Sequence, residues 1–219
     1  MSYWFGSALK SLVSAATVGL YVLAGASAAA PAGTYEILKD RSLVSILVYR
    51  GGFLQPFGHN HVISSRALHG TIQWQGSGAR TGRFSLQLPM ESLEVDRKDD
   101  RAAQGTDFST EVDDSARKAT RRNMLGPKVL DYPRFNRIRA SGVFDGNALH
   151  TEIDLHGMKR KIVVPVRIQS TGEVLSADGA FPVDQSEFNI EPFRAVGGLL
   201  RIRDRIEIRF HIVARLAGR

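Results

Sequence analysis

The stretch Leu68-His69-Gly70-Thr71-Ile72-Gln73-Trp74 carries apolar residues on alternate positions, with His69, Thr71 and Gln73 between them. Successive residues of an extended chain point to opposite faces, so Leu68, Ile72 and Trp74 share one face of a strand. The same period recurs along the chain. Phe84, Leu86, Leu88 and Met90 alternate with Ser85, Gln87 and Pro89. Leu149, Thr151, Ile153 and Leu155 face away from His150, Glu152 and Asp154, and Ile206, Ile208, Phe210 and Ile212 from Glu207, Arg209 and His211. Val44-Ser45-Ile46-Leu47-Val48 and Ile162-Val163-Val164-Pro165-Val166 are more uniformly apolar, and a further strand is expected between Glu173 and Val183. Turn residues separate these segments, among them Arg50-Gly51-Gly52, Gly76-Ser77-Gly78, Asp145-Gly146-Asn147, His156-Gly157 and Ser170-Thr171-Gly172. Gly and Asn there supply the positive-φ conformations of tight turns. Roughly eight or nine short strands with frequent turns predict an all-β sandwich or closed barrel. The exception is Asp113 to Leu125, whose acidic start, Ala/Arg/Lys content and Gly126-Pro127 stop predict one short helix.

Composition narrows the function. The chain has 219 residues, 43% hydrophobic and 23% charged, which suits a folded chain rather than a disordered one. It has no Cys, which excludes a disulfide scaffold, a thiol nucleophile and a thiolate metal site. Its formal net charge of +7 suits anionic partners and equally serves solubility. Lys10 is the only charged residue before Glu36, and the uncharged stretch from Ser11 to Gly25 runs into Ala26-Ser27-Ala28. A cationic start, an apolar core and small-x-small residues form the layout of a secretory signal peptide, here residues 1–28. An uncleaved anchor is the alternative, since uncharged residues continue to Tyr35. On the first reading the mature protein is periplasmic or secreted, a single domain over residues 34–216.

Several segments, in order, are similar to the YceI-like family. Tyr35-Glu36-Ile37 and Ser42-Leu43-Val44-Ser45-Ile46 resemble its first strands, as do Leu68-His69-Gly70-Thr71-Ile72 and Met90-Glu91-Ser92-Leu93. Asp131-Tyr132-Pro133-Arg134-Phe135 resembles the start of the strand after its helix, and Leu155-His156-Gly157-Met158-Lys159-Arg160 its central hairpin. Phe188-Asn189-Ile190 and Arg201-Ile202-Arg203-Asp204-Arg205-Ile206 resemble its last two strands, with Asn189 where a Gly is expected. The resemblance implies an antiparallel lipocalin-like β-barrel of about eight strands with one short helix. It also implies an apolar interior that holds a polyisoprenoid chain, such as an isoprenoid quinone tail or a polyprenyl lipid.

The expected wall comprises Ile46, Val48, Phe53, Phe57, Ile72, Trp74, Phe84, Leu86, Ile153, Val164, Val166, Phe181, Ile208 and Phe210. An isoprenoid tail gains about 0.8 kcal/mol per buried CH₂, so such a site needs no catalytic group and no required cofactor. The expected partners are an amphiphilic lipid and a membrane-protein donor or acceptor, with no nucleic acid. The competing function is a metal protein or metal-dependent enzyme. In Gly58-His59-Asn60-His61 an extended backbone puts both imidazoles on one side, and His69 is the third candidate ligand for a divalent ion. Asp96, Asp99, Asp100, Asp107, Glu111, Asp113 and Asp114 lack the order of a calcium loop and are expected to be solvated. Arg117, Lys118, Arg121 and Arg122 cluster on the expected helix, as a solvated face or a contact to anionic head groups. The sequence contains no Gly-x-Ser-x-Gly elbow, phosphate loop or dinucleotide fingerprint.

Overall fold

The alternating segments become the strands of a closed barrel in the computed structural model, which describes residues 30–76, 81–146 and 148–218. The signal-peptide reading, residues 1–28, lies outside the described residues. In chain order the strands begin with β1 (Gly33–Ile37), β2 (Leu43–Val48), β3 (Arg50–Gly51), β4 (His61–Ser65), β5 (His69–Trp74), β6 (Gly82–Pro89) and β7 (Glu94–Val95). The helices α1 (Lys98–Ala102) and α2 (Asp114–Leu125) follow. Then come β8 (Arg137–Phe144), β9 (Ala148–Leu155), β10 (Met158–Thr171), β11 (Val174–Asp184), β12 (Arg194–Ala195), β13 (Leu200–Ile202) and β14 (Arg205–Leu216).

The ring runs β1-β5-β6-β8-β9-β10-β11-β14 and closes through antiparallel pairing of β14 with β1. Within the ring β10 pairs with β9 over Met158–Pro165 and with β11 over Val166–Thr171, so β10 is staggered between its two neighbours. Along the edge opposite β11, β14 is long enough to hold two further partners. Its C-terminal residues hold β1 at Leu216↔Tyr35, while its first half holds β2 at Ile208↔Ile46. Beyond β2 the sheet continues to β4 and β7, so one end of the barrel flares. A separate small sheet, β12-β13-β3, sits at that end.

Local chemistry explains the joints. The hairpin between β9 and β10 turns on His156 (φ 52°) and Gly157 (φ 74°), the two positive-φ residues of a type I′ turn. His156 holds that conformation because its Nδ1–H donates to the Phe188 carbonyl (3.1 Å) and its ring lies 4.8 Å from that of Phe135. Asn189 (φ 55°) explains the departure from the family pattern, because Asn tolerates the left-handed conformation that glycine would otherwise supply. The uniform apolarity of β2 also has a cause. Val44, Ile46 and Val48 face the interior, while Leu47 is buried on the outer side with Val62 and Phe108. On β10 the outer face is exposed instead, including Lys161, Val163 and Arg167. Its even-numbered Val164 and Ile168 face inward.

The helix forms where expected, with Asp113 as its N-cap: the Asp113 carboxylate accepts the Ala116 backbone N–H at 2.9 Å. In the acidic stretch that leads into it Asp99, Asp107, Glu111, Asp113 and Asp114 are exposed as expected, but two carboxylates are not. Asp96 and Asp100 are buried, α1 packs beside β4, and Phe108 is buried against Leu47 and Val62. The basic helix face is also engaged, since Arg121 donates to the carbonyls of Leu93 (3.2 Å) and Glu91 (2.7 Å). Arg117 likewise donates to the Asp96 carbonyl at 3.3 Å. These arginines tie α2 to the barrel, whereas Lys118 and Arg122 remain exposed.

Candidate functional site

The inward faces of the strands do not meet. They enclose a void of about 260 Å³ whose walls are almost wholly apolar. Ile72, Trp74, Phe144, Leu149 and Leu175 line it away from the flared end, and Val48, Leu93, Met124, Leu130 and Ile190 line it near that end. Several barrel strands contribute, so the cavity belongs to the barrel as a whole. Glycine shapes the wall at one point: a Cβ on Gly179 would lie 2.4 Å from the Phe210 ring, which packs across that backbone and lines the void.

Of the expected wall residues, Ile46, Val48, Ile72, Trp74, Phe84, Leu86, Ile153, Val164, Phe181, Ile208 and Phe210 do line the cavity. Val166 packs with the buried cluster around Trp74 and Phe144 without reaching the void. Phe53 and Phe57 are corrections: they are 85% and 79% exposed in the loop between β3 and β4. Their apolarity resembles that of wall residues, but no strand carries them inward. Met124, Val129 and Leu130 contribute from α2 and the loop after it, which the strand pattern did not point to.

The wall holds one polar oddity. Trp74 is 7% exposed and its indole N–H has no hydrogen-bond partner. A Cβ on Gly82 would lie 3.2 Å from Trp74 Cε3, so the six-membered edge of the indole lies against β6. The ring also stacks on Phe144 at 5.9 Å. A buried donor left unmet costs about 1–3 kcal/mol.

The histidines lie elsewhere. His61 sits opposite Val48 across the β2–β4 pairing, and its Nδ1–H donates to Asp96 Oδ2 at 2.6 Å. Asp96 also accepts from the Val62 backbone N–H (2.9 Å) and from Arg101 (2.5 Å). Arg101 reaches on to the carbonyls of Asn60 (2.7 Å) and Thr110 (2.7 Å). The His59 ring lies 6.4 Å from that of His61, with a buried and unpartnered Nδ1. His69 points to the side of β5 opposite Ile72 and Trp74, and its Nδ1 bonds the Ala67 carbonyl at 3.2 Å. Among the described residues, no three His, Cys, Asp or Glu side chains are gathered where they could hold a metal ion. Asp96 was invisible as a partner because it stands 35 positions from His61.

Burial raises the Asp96 carboxyl's pKa, but hydrogen bonds from His61, Val62 and Arg101 more than offset this, so it is held below the usual carboxylate value. Asp100 is lowered in the same way: burial raises it, while Arg66 and Ser64 overcome that effect from 2.7 and 2.5 Å.

A closed eight-stranded antiparallel barrel around an apolar void is the lipocalin-like architecture, whose interior is wide enough for packed side chains or one small ligand. The model of the YceI-like domain matches residues 35–214, and the chain belongs to that family. Among solved structures it is similar to a polyisoprenoid binding domain of Saccharophagus degradans implicated in plant cell wall breakdown. That likeness has 11% identity and a TM-score of 0.57 over 84% of this chain and 98% of the other. BcnA of Burkholderia cenocepacia is similar at 14% identity and a TM-score of 0.55, over 81% of this chain and 98% of the other. The YceI protein of Campylobacter jejuni is similar at 8% identity and a TM-score of 0.51, over 71% and 85%. At these identities the likeness concerns the fold. No curated protein matches the chain by sequence.

Proposed function

We propose that this protein is an exported carrier that holds the tail of a polyisoprenoid or similar amphiphile, such as an isoprenoid quinone, inside its barrel. The observation that carries the reading is the void of about 260 Å³ walled almost entirely by apolar side chains. An empty void of that size costs about 6 kcal/mol at ~24 cal/mol per Å³, comparable with the whole stability of many domains. A tail filling it returns that cost and gains about 0.8 kcal/mol per CH₂ taken out of water. The polyisoprenoid-binding character of the Saccharophagus degradans domain supports the choice of tail. The signal-peptide layout of residues 1–28 supports export to the periplasm or beyond the cell. The chemistry asked of the protein is sequestration and release, without a bond-making step.

Mass spectrometry of an organic extract from natively purified protein tests this. The expected result is a polyprenyl compound in near-stoichiometric amount. Absence of any lipid, with a stoichiometric divalent metal that is lost in a His59→Ala/His61→Ala variant, would replace the carrier reading with the metal-protein one.

A further inference from the structure

Among the described residues, five of the seven exposed large hydrophobic side chains lie in two loops at the flared end of the barrel. Phe53 and Phe57 belong to the loop between β3 and β4. Phe193 (40% exposed), Val196 (63%) and Leu199 (48%) belong to the segment between Ile190 and β13. The two loops form one unit. Gly51 pairs with Arg201, the Leu54 N–H donates to the Leu199 carbonyl at 2.9 Å, and the Ile202 N–H to the Phe193 carbonyl at 2.9 Å. A Cβ on Gly52 (φ 89°) would lie 2.4 Å from the Leu199 carbonyl oxygen, so glycine is what lets the two backbones meet. The apolar tips are therefore presented on hydrogen-bonded turns.

Charge identifies what would cover them. Residues 50–58 and 191–204 contain Arg50, Arg194, Arg201 and Arg203 against two carboxylates, Glu191 and Asp204, the latter accepting from the Ser186 backbone N–H and hydroxyl. Arg50 is turned inward to the Gly58 carbonyl, and Arg194 lies 3.7 Å from Glu191. Arg201 and Arg203 are exposed, and neither forms an ion pair among the described residues. Arg203 Nε donates to the Arg50 carbonyl at 3.2 Å. Aromatic and aliphatic tips flanked by cations match the boundary between phosphate head groups and acyl chains. A stable protein partner would instead need a broad face of about 800 Å². The outward strand faces do not resemble those of a membrane-spanning barrel, since Lys159, Lys161 and Arg167 stand exposed along β10. The contact would be peripheral. It also lies next to the cavity, because Val48 and Ile190, which line the void, are two and one residues from Arg50 and Glu191.

We propose that these two loops seat the barrel on an anionic phospholipid surface, with Phe53, Phe57, Val196 and Leu199 in the acyl boundary and Arg201 and Arg203 on the phosphates. That the cavity loads and unloads its tail there rests on the carrier reading above. Flotation of the purified protein with vesicles of phosphatidylcholine, alone or with about one-third phosphatidylglycerol, tests the docking. Binding is expected on the anionic vesicles and should weaken as salt rises. Phe53→Ser/Phe57→Ser should weaken it at least tenfold, and Arg201→Gln about fivefold. Lys161→Gln, on the outer face of β10, should leave it unchanged. The Phe53→Ser/Phe57→Ser protein should keep the parent's circular dichroism spectrum and melting temperature, which shows that the barrel is intact.

Wild-type protein that stays with the unbound fraction, or a double-serine variant that floats as well as the parent, would overturn the docking. So would self-association that is lost in that variant without any vesicle binding, which assigns the patch to a second copy. The two readings fail separately. Vesicle binding by a protein without a tail refutes the carrier, and a tail-loaded protein that ignores vesicles refutes the docking.

Discussion

Asp96 concentrates more of the structure's electrostatics than its place in a charged stretch suggests. Its side chain is 0% exposed and that of its partner Arg101 8%, so neither charge has water to fall back on. Asp→Asn at this position keeps the shape but leaves Arg101 buried without its counter-charge. Loss of one member of a buried pair costs about 3–5 kcal/mol, and urea unfolding of Asp96→Asn should show a loss near the lower figure, because Arg101 retains two carbonyls. The sign with pH follows from the lowered carboxyls of Asp96 and Asp100. A depressed folded-state pKa stabilises above the unfolded value of about 3.9, and the gain is lost as pH falls through the folded value. Stability should therefore fall on acidification from about pH 4 downward. Asp96→Asn should fall less steeply, and an unchanged slope would remove Asp96 from this role. None of this was legible in the local sequence. Seven carboxylates spread over residues 96–114 read as a solvated loop, and five of them are exposed; the burial of Asp96 and Asp100 is created by β4 and by Arg101 and Arg66, which no local pattern announces.

At the scale of elements, legibility follows period. Strands with one wet and one dry face announce themselves by alternation, so β5, β6, β9 and the core of β14 fall where the sequence puts them. The helix announces itself by its cap and its Gly-Pro stop. The short pairings β3, β12 and β13 carry no period, so Phe53 and Phe57 read as wall residues although they stand in solvent. The contribution of α2 to the cavity is likewise tertiary. Met124 reaches the void because Arg121 fastens the helix to the connection between β6 and β7, and because the Tyr132 hydroxyl donates to Glu91 at 2.6 Å. Arg121→Ala removes both bonds to carbonyl oxygens. It should cost about 1–2 kcal/mol, since hydrogen bonds to charged groups are worth roughly 1.5–3 each and water partly replaces them. The sharper readout is local: amide exchange in residues 114–125 should quicken while that of β9 and β10 stays unchanged. Equal acceleration in the barrel strands would mean that α2 is not a separately anchored element.

For the whole molecule, the decisive question is whether the void is a site or a flaw in packing, and the two predict opposite couplings between stability and binding. Ala140 lies on β8, lines the cavity, and sits between Leu86 and Ile153 in the sheet register. A phenylalanine there projects its ring into the space a ligand tail would use. If about 50–80 Å³ of empty volume is filled without strain, the lipid-free protein gains roughly 1–2 kcal/mol. The same ring displaces several CH₂ groups of tail at about 0.8 kcal/mol each, so binding falls by tenfold or more. Ala140→Phe should therefore melt higher than the parent when both are stripped of lipid, and lower when both are saturated, because the parent alone then receives the mass-action stabilisation of its ligand. The crossing of the two orders, read by calorimetry, is the signature of a cavity maintained for binding. A variant more stable in both states would show that the space was merely unfilled, and one destabilised in both that the wall there is already close-packed. The barrel's lack of cysteine sharpens the contrast, since strand pairing and interior packing carry the stability without a covalent brace to mask a change in the core.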